Sequence, residues 1–437
     1  MKSFNLSIFF VISIFCICFQ ESVVFAQGDT LEPKDTAAEN KEYFPLPDTQ
    51  GGWRTVTGVD KINEFTGMDK TKLDEAYDFV RSYFEDNGGL LVARHGYLVY
   101  ERYFGKGQRD ATPNLASCGK SFTSIAVGIL MNEYPELFPD GLEQKIFTST
   151  YLPAEAFSLP DSRMADIKLG QLLSFSAGIR GNNPVSINGK FSVINPAGPD
   201  GWYACVDKYA LGIEEGKASN GVPFSTKSLW CEPGGGYSYA TASIHIASIM
   251  LRYISGLELQ EFIETHLAKP LGWGTWGWGY KNSSPLLTHT PGGAGICLRS
   301  TDMLRFCYML LHDGQWKGEQ VVPKEYIGFA TNASPYNPHA PYSLQFNVNT
   351  DGKIKGLPTD AYWKTGSGGH AFYIVPSLDL VVWRLGGRDN QYSSGNTGLP
   401  FPDPISNAEK AITKSSFQRN ATAKVLKMVI NSIVDED

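Results

Sequence analysis

Strand-like runs occur near both ends of this 437-residue chain, and helical periodicity dominates its middle. Residues 70–87 carry Leu73, Ala76, Tyr77, Val80 and Phe84 at the spacing of one buried helix face, and stop at Gly88-Gly89. Two short strands follow, 90–94 and 97–104, around a His95-Gly96 turn. Near the other end come strands 371–375 and 378–385 around Pro376-Ser377. A last helix, 421–434, has Val425, Leu426, Val429 and Ile433 on one side. A chain whose two ends carry the same kind of element can bury them by joining them in one sheet. The expected fold class is therefore α/β (α+β). An antiparallel sheet is flanked by N- and C-terminal helices, and a mostly helical domain is inserted. The α/β domain is expected over 51–116 and 291–437, and the helical domain over 117–290. Helical stretches in the insert fall at 117–134, 167–175, 241–255 and 258–268. The irregular Gly/Asn/Pro-rich section 178–236 is expected to wall a ligand cleft.

The N-terminus reads differently. Lys2 precedes an apolar run from Leu6 to Phe19, and Val24-Phe25-Ala26 stands before Gln27. A basic start, a short apolar core and small residues near a cut site describe a signal peptide over 1–26. The expected location is periplasmic or secreted, the alternative being an N-terminal membrane anchor. No later stretch is long enough to span a membrane. The polar, proline-containing residues 27–50 are expected to be a linker. A formal net charge of −7 argues against a nucleic-acid partner. Beyond the signal peptide remain Cys118, Cys205, Cys231, Cys297 and Cys307, so at least one thiol is free. Cys205 and Cys231 flank a loop-rich segment and are the pair considered for a disulfide.

Ser117 and Lys120 stand three apart at the start of a helix whose apolar residues are Phe122, Ile125, Ala126, Ile129 and Leu130. Positions three apart share a helix face, so hydroxyl and amine can meet. A serine becomes nucleophilic when a neighbouring base takes its proton. Cys118 points about 100° away from that face and reads as packing. One Ser-x-x-Lys alone is uninformative, since about one or two arise by chance in a chain this long.

Two other stretches add to it. Pro233-Gly234-Gly235-Gly236-Tyr237-Ser238-Tyr239-Ala240-Thr241 is a glycine-rich bend before a helix, and Tyr239 there can do acid–base work beside a cation such as Lys120. Trp363-Lys364-Thr365-Gly366-Ser367-Gly368-Gly369-His370 leads into a strand. Its glycines allow close approach of a ligand, Lys364 would attract an anionic or carbonyl-bearing substrate, and the Ser367 N–H could donate to an oxyanion. His370 is a further pocket candidate.

With these three stretches in this order, the sequence resembles the serine β-lactamase and penicillin-binding-protein superfamily. Its class C-like branch of esterases, D-aminopeptidases and 6-aminohexanoate-dimer hydrolases fits best. The resemblance runs from about Gly51 to Arg388 and includes Lys269-Pro270-Leu271-Gly272-Trp273 and residues 292–306. It implies an antiparallel sheet with a helical domain and the active site between them. It implies Ser117 as the acyl-accepting nucleophile, with Lys120 and Tyr239 sharing its proton, either one being the first base. The N–H groups of Ser117 and Ser367 would form the oxyanion hole. Lys364, Thr365, Gly366, Thr241 and His370 would bind substrate.

The expected activity is an exported serine hydrolase acting on a small-molecule ester or amide, with no metal and no cofactor. The alternatives are a D-Ala-D-Ala carboxypeptidase, a β-lactamase, and a penicillin-recognising sensor that acylates without turnover. No Ser-Asp-Asn motif occurs. Where the tyrosine-bearing branch often has Tyr-x-Asn, the third residue here is Thr241, which argues against strong β-lactamase activity. No Gly-x-Ser-x-Gly elbow occurs, and no histidine spacing suits zinc.

Overall fold

The computed structural model describes residues 43–434, except 195–197, 200, 218–222, 225, 282–283 and 413–420. The expected signal peptide and most of the expected linker lie outside the described residues.

Helix α1 (Lys70–Tyr83) starts where the Asp69 carboxylate accepts the Thr71 N–H at 2.8 Å. It ends at Phe84, short of the glycines. Gly88 and Gly89 open strand β1 (Gly88–Arg94) instead of stopping the helix. A side chain at 88 would lie 2.4 Å from the Leu385 carbonyl oxygen, and one at 89 would lie 2.6 Å from that of Arg102. These glycines therefore serve strand packing. Strand β2 (Tyr97–Phe104) turns back on β1 with a bulge between Val92 and Ala93.

Four more strands come from far along the chain: β3 (Asn347–Val348), β4 (Tyr362–Gly366), β5 (His370–Val375) and β6 (Leu380–Leu385). The antiparallel sheet runs β3-β4-β5-β6-β1-β2. The N- and C-terminal parts of the chain meet inside it, where Leu91 pairs with Trp383 and Leu90 with Arg384.

Successive residues of β1 face opposite sides. Leu90 and Val92 enter the core with α1 and the C-terminal helix α5 (Ala421–Ile430). Leu91 and Ala93 enter the larger core that includes the helices of the insert. Both faces are covered, so β1 is buried throughout. Leu73, Ala76, Tyr77 and Val80 of α1 are fully buried. Each large apolar side chain so buried contributes about 1.5–3 kcal/mol.

Helix α4 (Ser300–Leu311) lies under the other face, with Phe306 edge-on to Phe372 at 6.0 Å. The insert contributes α2 (Gly119–Glu133) and α3 (Thr241–Ser255), which pack on each other. The expected helix at 258–268 is Leu259–Ile263 followed by a π-helical turn, Glu264–Ala268.

Residues 43–50 of the expected linker are packed on the fold. Asp48 pairs with the buried Arg305 at 2.6 Å and accepts from Thr301 at 2.8 Å. Cys205 and Cys231 are not bonded to each other, and none of the five described cysteines forms a disulfide. Among the described residues, no helix is long and apolar enough to cross a membrane.

Candidate active site

Ser117 sits in a single 3-10 turn, Ala116–Cys118, at the mouth of α2. Ala116 just before it holds a left-handed φ of 49°. That conformation costs a non-glycine residue about 1–3 kcal/mol and persists only where neighbours enforce it. Here the Asn114 carboxamide accepts the Ala116 N–H at 2.9 Å, and the Leu115 N–H donates to the Ile296 carbonyl at 2.9 Å.

In the first turn of α2, Lys120 is buried, and its Nζ donates to Ser117 Oγ at 3.0 Å and to the Gly293 carbonyl at 2.5 Å. The i, i+3 spacing thus brings amine and hydroxyl together. Cys118 points into the core, and burial pushes its thiol up to about 12, so it stays protonated at neutral pH.

Tyr239 arrives from a three-residue strand, Tyr237–Tyr239, paired with Asn182–Ile187. The Ser238 N–H donates to the Phe175 carbonyl at 3.0 Å, and the Phe175 ring meets Tyr239 edge-on at 4.9 Å. The irregular section therefore holds this tyrosine; none of its described residues lines the cleft that contains Ser117. Two lysine amines approach the Tyr239 ring, with Lys120 Nζ 5.1 Å and Lys364 Nζ 5.0 Å from its centroid.

Strand β4 forms the opposite wall. Thr365, Gly366 and Ser367 line the same cleft as Ser117 and Tyr239, a cavity of about 520 Å³. The remaining candidates lie off it. Lys364 is buried behind the wall and donates to the Tyr342 hydroxyl. Burial, reinforced by the charge of Lys120, holds its amine well below the usual lysine range. It does not line the cleft, in contrast to the substrate attractor expected from sequence. Thr241 is buried at the first turn of α3, where its methyl packs on Gly293.

His370 is fully buried and stacks on Trp383 at 6.0 Å. Its Nδ1 accepts the Gly386 N–H at 3.1 Å. Burial, with the nearby charge of Arg384, lowers its pKa to about 3. It is a neutral structural ring and does not line the cleft.

Several residues at the site had no sequence signal. Gln391 Nε2 donates to the Asn114 carbonyl at 2.7 Å and to the Ser367 carbonyl at 3.1 Å, tying the serine turn to the β4–β5 turn. Tyr342 partners Lys364, and the Gly293 carbonyl partners Lys120. The far end of the cleft holds Arg384, whose guanidinium lies over the Phe84 ring at 3.7 Å, and Arg388, paired with Glu85 at 3.2 Å. Among the described residues, no cluster of side chains suits a metal ion.

A serine with a buried lysine on its hydroxyl, set between an antiparallel sheet and a helical layer, defines the class of serine hydrolases with a β-lactamase fold. The model of the Beta-lactamase family matches residues 80–390, and the chain belongs to that family. No curated protein matches it.

Among solved structures, it is similar to one from Bacillus anthracis provisionally described as a 6-aminohexanoate-dimer hydrolase. Identity is 18% and the TM-score 0.54, over 89% of this chain and 88% of that one. It is also similar to a family VIII carboxylesterase, at 16% identity and a TM-score of 0.54, over 83% of this chain and 97% of that one. A third is EstCE1, a hydrolase with promiscuous acyltransferase activity, at 14% identity and a TM-score of 0.53, over 84% and 98%. At these identities the likeness establishes the fold.

Proposed function

We propose that this protein is an exported serine hydrolase that cleaves an ester or small amide through an acyl-enzyme on Ser117. The observation that carries the reading is the 3.0 Å contact between Lys120 Nζ and Ser117 Oγ in a cleft that also holds Tyr239. Ser117 Oγ attacks the substrate carbonyl carbon as its proton passes to Lys120 or Tyr239. The oxyanion is met by the N–H groups of Ser117 and Ser367. Collapse breaks the bond to the alcohol or amine, which leaves with the proton. Water, activated by the same pair, then releases the acid and restores the serine.

The Beta-lactamase family and the esterase and amide-hydrolase descriptions of the structural neighbours support this class of substrate. Thr241, buried against Gly293, offers no amide to a β-lactam side chain, which favours ester and simple amide substrates over β-lactams. The signal-like residues 1–26 support export.

The test is a panel of p-nitrophenyl esters, nitrocefin, D-amino-acid amides and aminohexanoate oligomers, run on wild type and Ser117→Ala. Ester or amide turnover that falls by about 10³-fold or more in Ser117→Ala is expected. Turnover surviving intact in that variant would refute the reading.

A further inference from the structure

The reading above leaves open what holds the Lys120 amine against Ser117. Its second acceptor is the Gly293 carbonyl, 173 residues away in the chain. That carbonyl belongs to a two-glycine strap pressed between α2 and α3. A side chain at 292 would lie 2.6 Å from Ser248 Oγ and 2.8 Å from the Ile244 carbonyl oxygen. One at 293 would lie 2.3 Å from Thr241 Cγ2. Only glycines let the strap lie this close to α3.

The strap is bonded on both sides. From α2, Thr123 Oγ1 donates to the Gly292 carbonyl at 2.7 Å. From α3, His245 Nδ1 accepts the Gly292 N–H at 3.1 Å. A peptide N–H can only donate, so Nδ1 is the bare nitrogen and Nε2 carries the proton. Nε2 lies 2.9 Å from Asp207 Oδ1, and Arg252 Nη2 lies 2.5 Å from the other carboxylate oxygen. Ser248 Oγ lies 3.1 Å from Nδ1, but its proton goes to the His245 carbonyl at 2.7 Å, so it does not compete. His245 is fully buried, while Asp207 and Arg252 are partly exposed.

We propose that His245 and Asp207 are positioning residues for Lys120. Asp207 fixes the His245 tautomer, His245 fixes the Gly292 N–H, and the strap thereby aims the Gly293 carbonyl that orients the lysine amine. The proposal rests on the assignment of Lys120 to Ser117. Neither residue lines the cleft, so each acts through the backbone. A base displaced by about 1 Å can lose 10²-fold in rate. The groups facing His245 include Asp207, Ser248 and the Gly292 N–H; those around Lys120 include Ser117, Cys118, Tyr239, Lys364 and the Gly293 carbonyl.

The test uses the full chain with p-nitrophenyl acetate as probe, reading kcat, KM and the pH profile. His245→Gln keeps a polar group near Nε2 but withdraws the acceptor from Gly292, whereas His245→Asn keeps an acceptor near Nδ1. His245→Gln is expected to lower kcat by about 10–100-fold with KM within about twofold. The acid limb of kcat/KM should move to lower pH, because an ammonium that loses a carbonyl acceptor gives up its proton more readily. His245→Asn should recover most of the loss. Should the His245 variants fail to fold, Asp207→Asn is read in the same way, with a smaller fall in kcat and the same direction of the acid limb. A wild-type pH profile in folded His245→Gln or Asp207→Asn, or equal losses in His245→Gln and His245→Asn, overturns the proposal. Ser117→Ala separates the two levels. If it is inactive while the His245 variants behave as wild type, only the positioning role falls. If it is fully active, the assignment of Lys120 falls and the proposal with it.

Discussion

Gly366 lies against the Leu115 carbonyl so closely that a side chain at 366 would stand 2.3 Å from that oxygen and 3.3 Å from the Cys118 N–H nitrogen. The strand wall and the serine turn therefore touch backbone to backbone. Gly366→Ala should push β4 off the turn. Overpacking of this kind costs about 1–3 kcal/mol, and the displaced wall should lower kcat by about 10²-fold. Chemical denaturation and ester kinetics on the same variant check both effects.

Gln391 clasps the two walls from outside the motifs. Gln391→Ala removes the donors to the Asn114 and Ser367 carbonyls. Kcat should fall by about tenfold, with about 1 kcal/mol of stability lost. An unchanged kcat in a variant with wild-type Tm would contradict the clasp.

Lys364 is buried, and its amine is held well below the usual lysine range by burial and by Lys120. Between that lowered value and the ordinary 10.5, the unfolded chain binds the extra proton, so this group makes stability rise with pH. Lys364→Met should therefore stabilise the fold at pH 7, and the gain should shrink towards pH 10.5. The Tyr342 hydroxyl keeps its bond to Gln345 Oε1 at 2.8 Å, so the substitution orphans no donor there. Urea midpoints at pH 7 and 10 report the difference.

His370 makes a second pH-dependent contribution. With a folded value of about 3 against 6.5, it takes up a proton on unfolding between those limits. Its stability contribution is fully present above pH 6.5 and is lost as the pH falls towards 3. His370→Gln should flatten the acid side of the stability curve measured by denaturant titration.

Asp302 and Arg305 form a fully buried pair at 2.6 Å, and Arg305 also holds Asp48. Asp302→Ala leaves the guanidinium with half its compensation. A loss of about 3–5 kcal/mol is expected, since a buried charge without its partner is costly. Replacing the exposed pair partner Asp166 of Lys145 should change stability by less than about 1 kcal/mol in the same assay.

The amino-acid order alone determined the elements whose information is local. Apolar spacing marked α1 and α2, and the strands at the two ends implied one sheet. Ser117 and Lys120 were legible because three residues on a helix is a fixed geometry. Tyr239 and the β4 segment were legible because they carry side chains and glycines in a known order.

Tertiary structure decided everything that depends on register between distant segments. It turned Gly88-Gly89 from a helix stop into a strand start, moved His370 off the cleft, and left Lys364 buried on the Tyr342 hydroxyl. It also supplied Gln391 and the Gly293 carbonyl. A backbone carbonyl has no residue signature, and a glutamine becomes a clasp only when a residue 277 positions away in the chain is folded onto it. Local sequence sets which face of a helix is apolar; which carbonyl that helix meets is set by the packing of the whole chain.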